Sequence, residues 1–261
     1  AYWMSENGFF RYAGKLESLP CLVEDFVFDS INLTSGNQMV SAGLNNLFGE
    51  VIWFYPETGS SVVNRMVAYN YFDSLPQRPV WTVGSLARTM WRDSAVFGLP
   101  HALEYDADTD TSFDVVGNTE GRTSYYEHET GTDQNRNGTI TAIAANILSG
   151  DFDITQRIVG NQMTGIADFK GDGEHIMKIR RFVPDFISQT GNTVVTLNLR
   201  NFPNDTASSS SLGPFTITSS TSKVDTRARA RAIALKVENT GSSQSWKLGT
   251  FRLDTQPDGR R

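Results

Sequence analysis

From Gly43 to Trp91 the chain reads GLNNLFGEVIWFYPETGSSVVNRMVAYNYFDSLPQRPVWTVGSLARTMW, and this stretch limits the fold more than any other. Glu50–Tyr55 (EVIWFY) is an apolar run of β-branched and aromatic residues that stops at Pro56. The turn ETGSS separates it from a second run, Asn64–Tyr71 (NRMVAYNY), which closes in DSLPQRP. Val80–Leu86 (VWTVGSL) is a third run, and Ala87–Trp91 is a candidate fourth. Runs of this length, rich in Val, Ile, Tyr, Phe and Trp and punctuated by Gly, Pro, Asn and Asp, are strands joined by hairpins. Three or four of them in about fifty residues make one antiparallel meander, the size of one propeller blade.

The same rhythm recurs on either side. Ala1–Leu19 carries YWM, the turn SENG, then FFRY and the turn AGK, with Asn7-Gly8 as a hairpin signal. Cys21–Phe28 leads to a short helical or turn segment at Asp29–Asn32, and Gln38–Ala42 starts the next meander. After Trp91, a connection marked by Pro100 precedes a third meander, built from Ala102–Tyr105, Ser112–Val116, Thr123–His128 and Thr139–Ile147. From Asp151 the character changes. HIMKIRRFVPDF is a long strand candidate broken at Pro184, and Asn192–Leu199 (NTVVTLNL) alternates strictly, the signature of a half-buried strand. FTITSSTSK, Arg227–Val237 (RARARAIALKV) and WKLGTFRLDTQPDGRR complete five or six alternating strands with Ser/Gly/Asn loops, a β-sandwich pattern. The expected fold is all-β: antiparallel meanders of a partial β-propeller over residues 1–150, then a β-sandwich-like module over 151–261. The chain opens on AYWMSENGFF, without an initiator Met and already in a strand, so we expect the C-terminal portion of a longer polypeptide.

Composition narrows the functions open to such a fold. A net charge of −6 gives no global pull toward nucleic acid. One cysteine, Cys21, excludes an intrachain disulfide and a multi-cysteine zinc site. No apolar run approaches the roughly 20 residues of a membrane span.

Few residues suggest chemistry. His101, His128 and His175 fall far apart, with no HxxxH or HxH spacing and no GxSxG elbow to supply a nucleophile, so no catalytic or cofactor-binding residue is expected. Asp133–Gly138 (DQNRNG) matches the first half of a calcium loop, but the twelfth position, where a bidentate Glu belongs, is Ala144. The hexapeptide is equally a hairpin tip, and no metal ligand set is assigned. Arg227, Arg229 and Arg231 recur at period two, so on one strand all three point to one face. They are the candidate subunit-interface residues, a solvated or salt-bridging face being preferred over a phosphate-binding ridge; Arg180-Arg181 and Arg260-Arg261 are too short to argue from. Trp53, Phe54, Tyr55, Tyr69, Tyr71, Trp81 and Trp91 form either a carbohydrate-stacking surface or, as their spacing favours, core packing between sheets.

Taken in order, WMSENGFFRYAGKLESLPCLVEDFVF, NNLFGEVIWFYP, MVAYNY, WTVGSLARTMW, SGDFDI, IRRFVPDF and the terminal WKLGTFRLDTQPDGRR resemble a family of tailed-phage virion proteins. These are the tail hub or nozzle proteins of short-tailed bacteriophages, often labelled packaged-DNA-stabilisation proteins, and the resemblance covers nearly the whole chain. It implies a propeller-containing structural subunit, a homo-oligomer that assembles as a hexameric ring below the portal and adaptor, next to tail fibre or spike proteins. It further implies a virion protein made in the host cytoplasm, through which DNA passes without sequence-specific binding and which inserts into no membrane. Genome retention and release would be its role, with no catalysis and no cofactor. Two other readings stay open: a receptor- or glycan-binding tail module, for which exposed Trp53, Trp81 and Trp91 would be needed, and a propeller hydrolase with paired carboxyls about 5 to 10 Å apart.

Overall fold

The computed structural model describes residues 1–32, 34, 39–94, 97–106, 122–136, 138–155, 157–160, 167–170, 173–202, 205 and 210–259. The chain is all-β and antiparallel, with one short α-helix among the described elements. It divides into two compact units, Ala1–Thr130 with Gly160–Ala167, and Gly131–Val159 with Asp168–Arg261.

In the first unit, β1 (Tyr2–Ser5), β2 (Gly8–Tyr12) and β3 (Leu16–Leu19) form a three-stranded meander. Gly8 enters β2 at φ 136°, a backbone conformation that only glycine adopts cheaply, and this closes the SENG hairpin. The helix α1 (Glu24–Phe28) follows, with Val27 buried. The second sheet has the order β4 (Ser41–Asn45), β5 (Glu50–Tyr55), β6 (Arg65–Leu75) and β7 (Arg78–Gly84). The third runs β8 (Met90–Arg92), β9 (His101–Asp106) and β10 (Arg122–Glu127).

These sheets stack face to face, and the second sheet is the reason. Side chains alternate across a strand, so β5 sends Val51, Trp53 and Tyr55 to one face and Ile52 and Phe54 to the other. The first set packs with Phe9 and Leu19 of the first meander and Val27 of α1. The second set packs with Val63, Ala68 and Trp91. EVIWFY is therefore a continuous apolar run because both of its faces are dry. Each fully buried large side chain contributes about 1.5–3 kcal/mol. Gly43 permits the close approach of the third sheet: a Cβ there would land on the Trp91 indole.

Three strand expectations need correction. Trp91 does not close the central meander; it lies on β8, opposite Ala102 of β9, and the sheet's remaining strand is β4. Residues 85–88 make the crossing between sheets, with Arg88 buried among polar partners rather than paired in a ladder. Thr139–Ile147 belongs to no third blade. It forms β12 and β13 of the second unit, while Ser112–Val116 lies outside the described residues.

In the second unit, β11 (Asp133–Arg136) and β12 (Thr139–Ala142) make a hairpin, followed by β13 (Ala145–Leu148). β14 (Arg157–Gly160) and β15 (Ala167–Lys170) pair as a two-stranded sheet whose ends, Gly160 and Ala167, fall to the first unit. Next come β16 (Met177–Val183), β17 (Phe186–Thr190), β18 (Thr193–Arg200), β19 (Ser211–Ile217), β20 (Val224–Ala230), β21 (Ala232–Asn239), β22 (Ser245–Leu248) and β23 (Arg252–Pro257). One sheet has the order β13-β21-β18-β19 and another β20-β16-β23. Met177, Ile179 and Phe182 from β16 meet Val195 and Leu197 from β18 and Ile233 and Val237 from β21 in one core, so the two sheets form a sandwich. Residue 150, the expected boundary, falls within this unit. Ser149 N donates to Leu235 O at 2.9 Å, and Phe152 bridges Ile233, so the segment is pinned to β21. No helix among the described residues is long and apolar enough to cross a membrane.

Candidate interaction surfaces

The three arginines read from the sequence do not share one face. Arg227 and Arg229 do: on β20 they alternate with buried Thr226, Ala228 and Ala230, so their side chains leave the sandwich on its outer side. The strand ends at Ala230, however, and Arg231 occupies the bend before β21. Its guanidinium donates to the Gly173 and Glu174 carbonyls at 3.0 and 2.9 Å, and its backbone N–H to Arg200 O. Arg231 is thus an anchor for the crossing between sheets, and period two fails because the strand it presumes is two strands.

Other cations take its place. Lys178 on β16 stands directly opposite Arg229 in the register, between buried Met177 and Ile179. Arg180 is exposed in the bulge between Ile179 and Arg181. Arg229 pairs with Asp258 at 2.5 Å, and Arg181 lies 3.4 Å from Asp254 and 3.7 Å from Asp225. Among the described residues no ion pair engages Lys178, Arg180 or Arg227. Residues facing each other across a ladder share a face, so the outer side of the β20-β16-β23 sheet is a basic patch. Sequence spacing missed it because half of its charge comes from a strand some fifty residues upstream.

This patch belongs to a wider asymmetry. Over Ala1–Thr130 and Gly160–Ala167 the sequence has 17 Asp and Glu against 7 Lys and Arg, a balance of −10; the remainder has 12 against 16, a balance of +4, and together they return the −6 of the chain.

The aromatic residues divide into two groups. Trp53 is 2% exposed and packs against Phe9 and Trp81. Trp81 and Trp91 are half-buried, and their indole N–H groups donate to Pro20 O (2.9 Å) and Leu44 O (2.7 Å). These rings are packing elements. The outer face of the first meander is different. There the register sets Trp3 opposite Phe10 and Tyr12 opposite Leu16, beside Ser5 and Ser18. Trp3, Tyr12 and Leu16 are 37%, 54% and 59% exposed, and Trp3 stacks on Phe10. Three short strands thus present an apolar face without a charge on it.

The histidines serve the third sheet or lie apart from it. Arg88, 4% exposed, donates to His128 Nε2 and to Glu104 Oε2, both at 2.9 Å, and its guanidinium carbon sits 4.1 Å above the Tyr126 ring. His128 accepts that bond, so it is held neutral. Burial, then the Arg88 charge, lowers its pKa to about 4. Burial also pulls the Arg88 pKa down, against Glu104 and Tyr126. Tyr125 Oη is 2.6 Å from His101 Nδ1, and His175 falls in the second unit. The geometry is that of a buried ion-pair support, not of a nucleophile and base.

Asp133–Gly138 is the β11–β12 hairpin. Asp133 accepts bonds from the Ser243 N–H at 2.9 and 2.8 Å, and Asn135 Oδ1 caps the turn by accepting from Gly138 N; Asn137 lies outside the described residues. Among the described residues no group of three or more His, Cys, Asp or Glu could hold a metal ion. Burial pushes the Cys21 thiol up to about 12, which keeps it protonated and unreactive. One further feature had no sequence signal: Glu129, at φ 63°, accepts from Asn45 Nδ2 at 3.1 Å, and burial, reinforced by Glu129, raises the Glu50 carboxyl.

A scan of protein-family models and a search of curated proteins found no match to this chain.

Proposed function

We propose that this chain is a structural subunit of a short-tailed bacteriophage tail, a hub or nozzle component whose copies form a ring around the DNA channel below the portal and adaptor. The ring helps to retain the genome and lets it pass at ejection. One observation carries the reading beside the sequence resemblance: an outward apolar face of the first meander, Trp3-Phe10-Tyr12-Leu16, has the form of a packing surface. It is uncharged and built on three paired strands, as suits the apolar centre of a protein–protein contact. The stacked meanders are consistent with blades of a propeller, and they make a stiff wall. A first unit at −10 supports the channel role, since it would not grip phosphates and slow their passage. In a ring the contacts are head-to-tail, so two different faces of each subunit must complement each other. No residue is assigned to catalysis.

A glycan- or receptor-binding module is the second reading. Trp53, Trp81 and Trp91 no longer favour it, because their rings and indole N–H groups are engaged in packing. What favours it is the exposure of Trp3 and Tyr12, rings on which a sugar can stack. Cryo-electron microscopy of intact virions separates the two. A ring of copies on the portal axis is the expected result. A peripheral assembly, with purified chain that binds host polysaccharide and loses binding on Trp3→Ala, would overturn the hub reading.

A further inference from the structure

We infer that copies of this chain join head to tail through charge, the basic outer face of β16 and β20 in one copy docking on the acidic α1 region of the next. The inference rests on the proposal that the chain is an assembling subunit, and it names the surfaces.

The basic face is built against its own stability. Lys178 and Arg229 are directly opposed on neighbouring strands, and like charges so placed repel. Asp258 relieves Arg229, but among the described residues Lys178, Arg180 and Arg227 have no ion-pair partner. Such a face gains most from an acidic cover.

The cover is present in the other unit. Glu24, Asp25 and Asp29 cluster on and just after α1, with no basic residue in its last turn, and among the described residues none of the three has an ion-pair partner. The Glu24 carboxylate lies 3.5 Å from where a Cβ on Gly8 would stand, so the acidic surface reaches the first hairpin. Exposed Leu22 and Phe26 flank these acids, so the acidic surface also offers apolar area to a partner. With −10 on one unit and +4 on the other, a second copy satisfies both surfaces at once. A nucleic acid fits less well, because docking it on the basic face would bring the acidic unit of the same chain along.

The test is sedimentation of the full chain in salt from about 0.05 to 0.5 M, where screening shortens the reach of charge. Self-association should weaken at least tenfold across that range. The double variants Lys178→Glu/Arg227→Glu and Asp25→Lys/Asp29→Lys should each be monomeric, with unfolding midpoints near that of the parent. Mixed together, they should associate again, since each now carries the complement of the other. Assembly that ignores salt and survives both variants would overturn this contact while leaving the assembling-subunit reading in place. A monomer at every concentration and salt would remove both. A monomer that binds a short DNA duplex, and loses it in Lys178→Glu/Arg227→Glu, would replace the second copy with a nucleic acid.

Discussion

The two units solve the same problem, how to bury an antiparallel sheet, in different ways. The first stacks three sheets and makes its contacts with rings: Phe9, Trp53, Trp81 and Tyr69, taken in that order, have neighbouring ring centroids 5.0, 6.1 and 4.9 Å apart. The second folds two sheets over a mainly aliphatic core of Ile179, Val195, Leu197, Ile233 and Val237. A stack has an interior sheet with no wet face and end sheets with one; a sandwich has one wet face per sheet. The first therefore leaves an apolar face to be covered, whereas the second leaves a polar one to be charged. The units also carry opposite net charge, −10 against +4.

Core truncations should separate the units most sharply. Trp53→Ala should cost about 3–5 kcal/mol and Leu197→Ala about 2–5 kcal/mol, and in calorimetry each should lower a different transition. If both lower the same one, the cores are a single cooperative system and the comparison breaks. Gly43→Ala tests how closely the sheets of the stack approach. Its methyl must displace the Trp91 indole, an overpacking worth about 1–3 kcal/mol, read as a fall in urea midpoint for the first unit alone.

Acid should also strike the first unit first. His128 ordinarily takes up a proton near 6.5, and here only near 4, so its folded pKa is depressed. The stability held by keeping it neutral is full above 6.5 and drains as the pH falls toward 4, because the unfolded chain binds the proton that the folded chain refuses. Urea midpoints of the first unit measured across that window should decline, and His128→Gln, which keeps an acceptor for Arg88, should flatten the decline. The smallest effect belongs to the basic face: Arg229→Ala loses the Asp258 pair, worth a few tenths of a kcal/mol at that exposure. Arg227→Ala should cost nothing measurable in the isolated chain.

Much of the fold could be read from residue pattern because strands advertise themselves locally. EVIWFY, NTVVTLNL and the break of IRRFVPDF at Pro184 appear as β5, β18 and the β16–β17 junction. Sheet membership is not local. Nothing near Trp91 says that it will pair with Ala102 rather than with β7, and nothing near Ala145–Leu148 says that its partner is β21, some ninety residues downstream. The candidate surface shows the same limit. RARARA announces alternation but not the bend at Arg231, and Lys178 joins Arg227 and Arg229 only through a cross-strand register that sequence spacing does not contain. The buried Arg88-His128-Glu104 set was hidden for the same reason, since its members come from three separate segments.

The double burial of β5 has a consequence for time as well as energy. Its amides are bonded to β4 on one side and β6 on the other, and its side chains are roofed by a neighbouring sheet above and below. No local fraying opens such a strand. Its backbone protons can trade with deuterium only when the whole stack comes apart, so the exchange rate at Val51–Phe54 is a clock for the lifetime of the folded first unit.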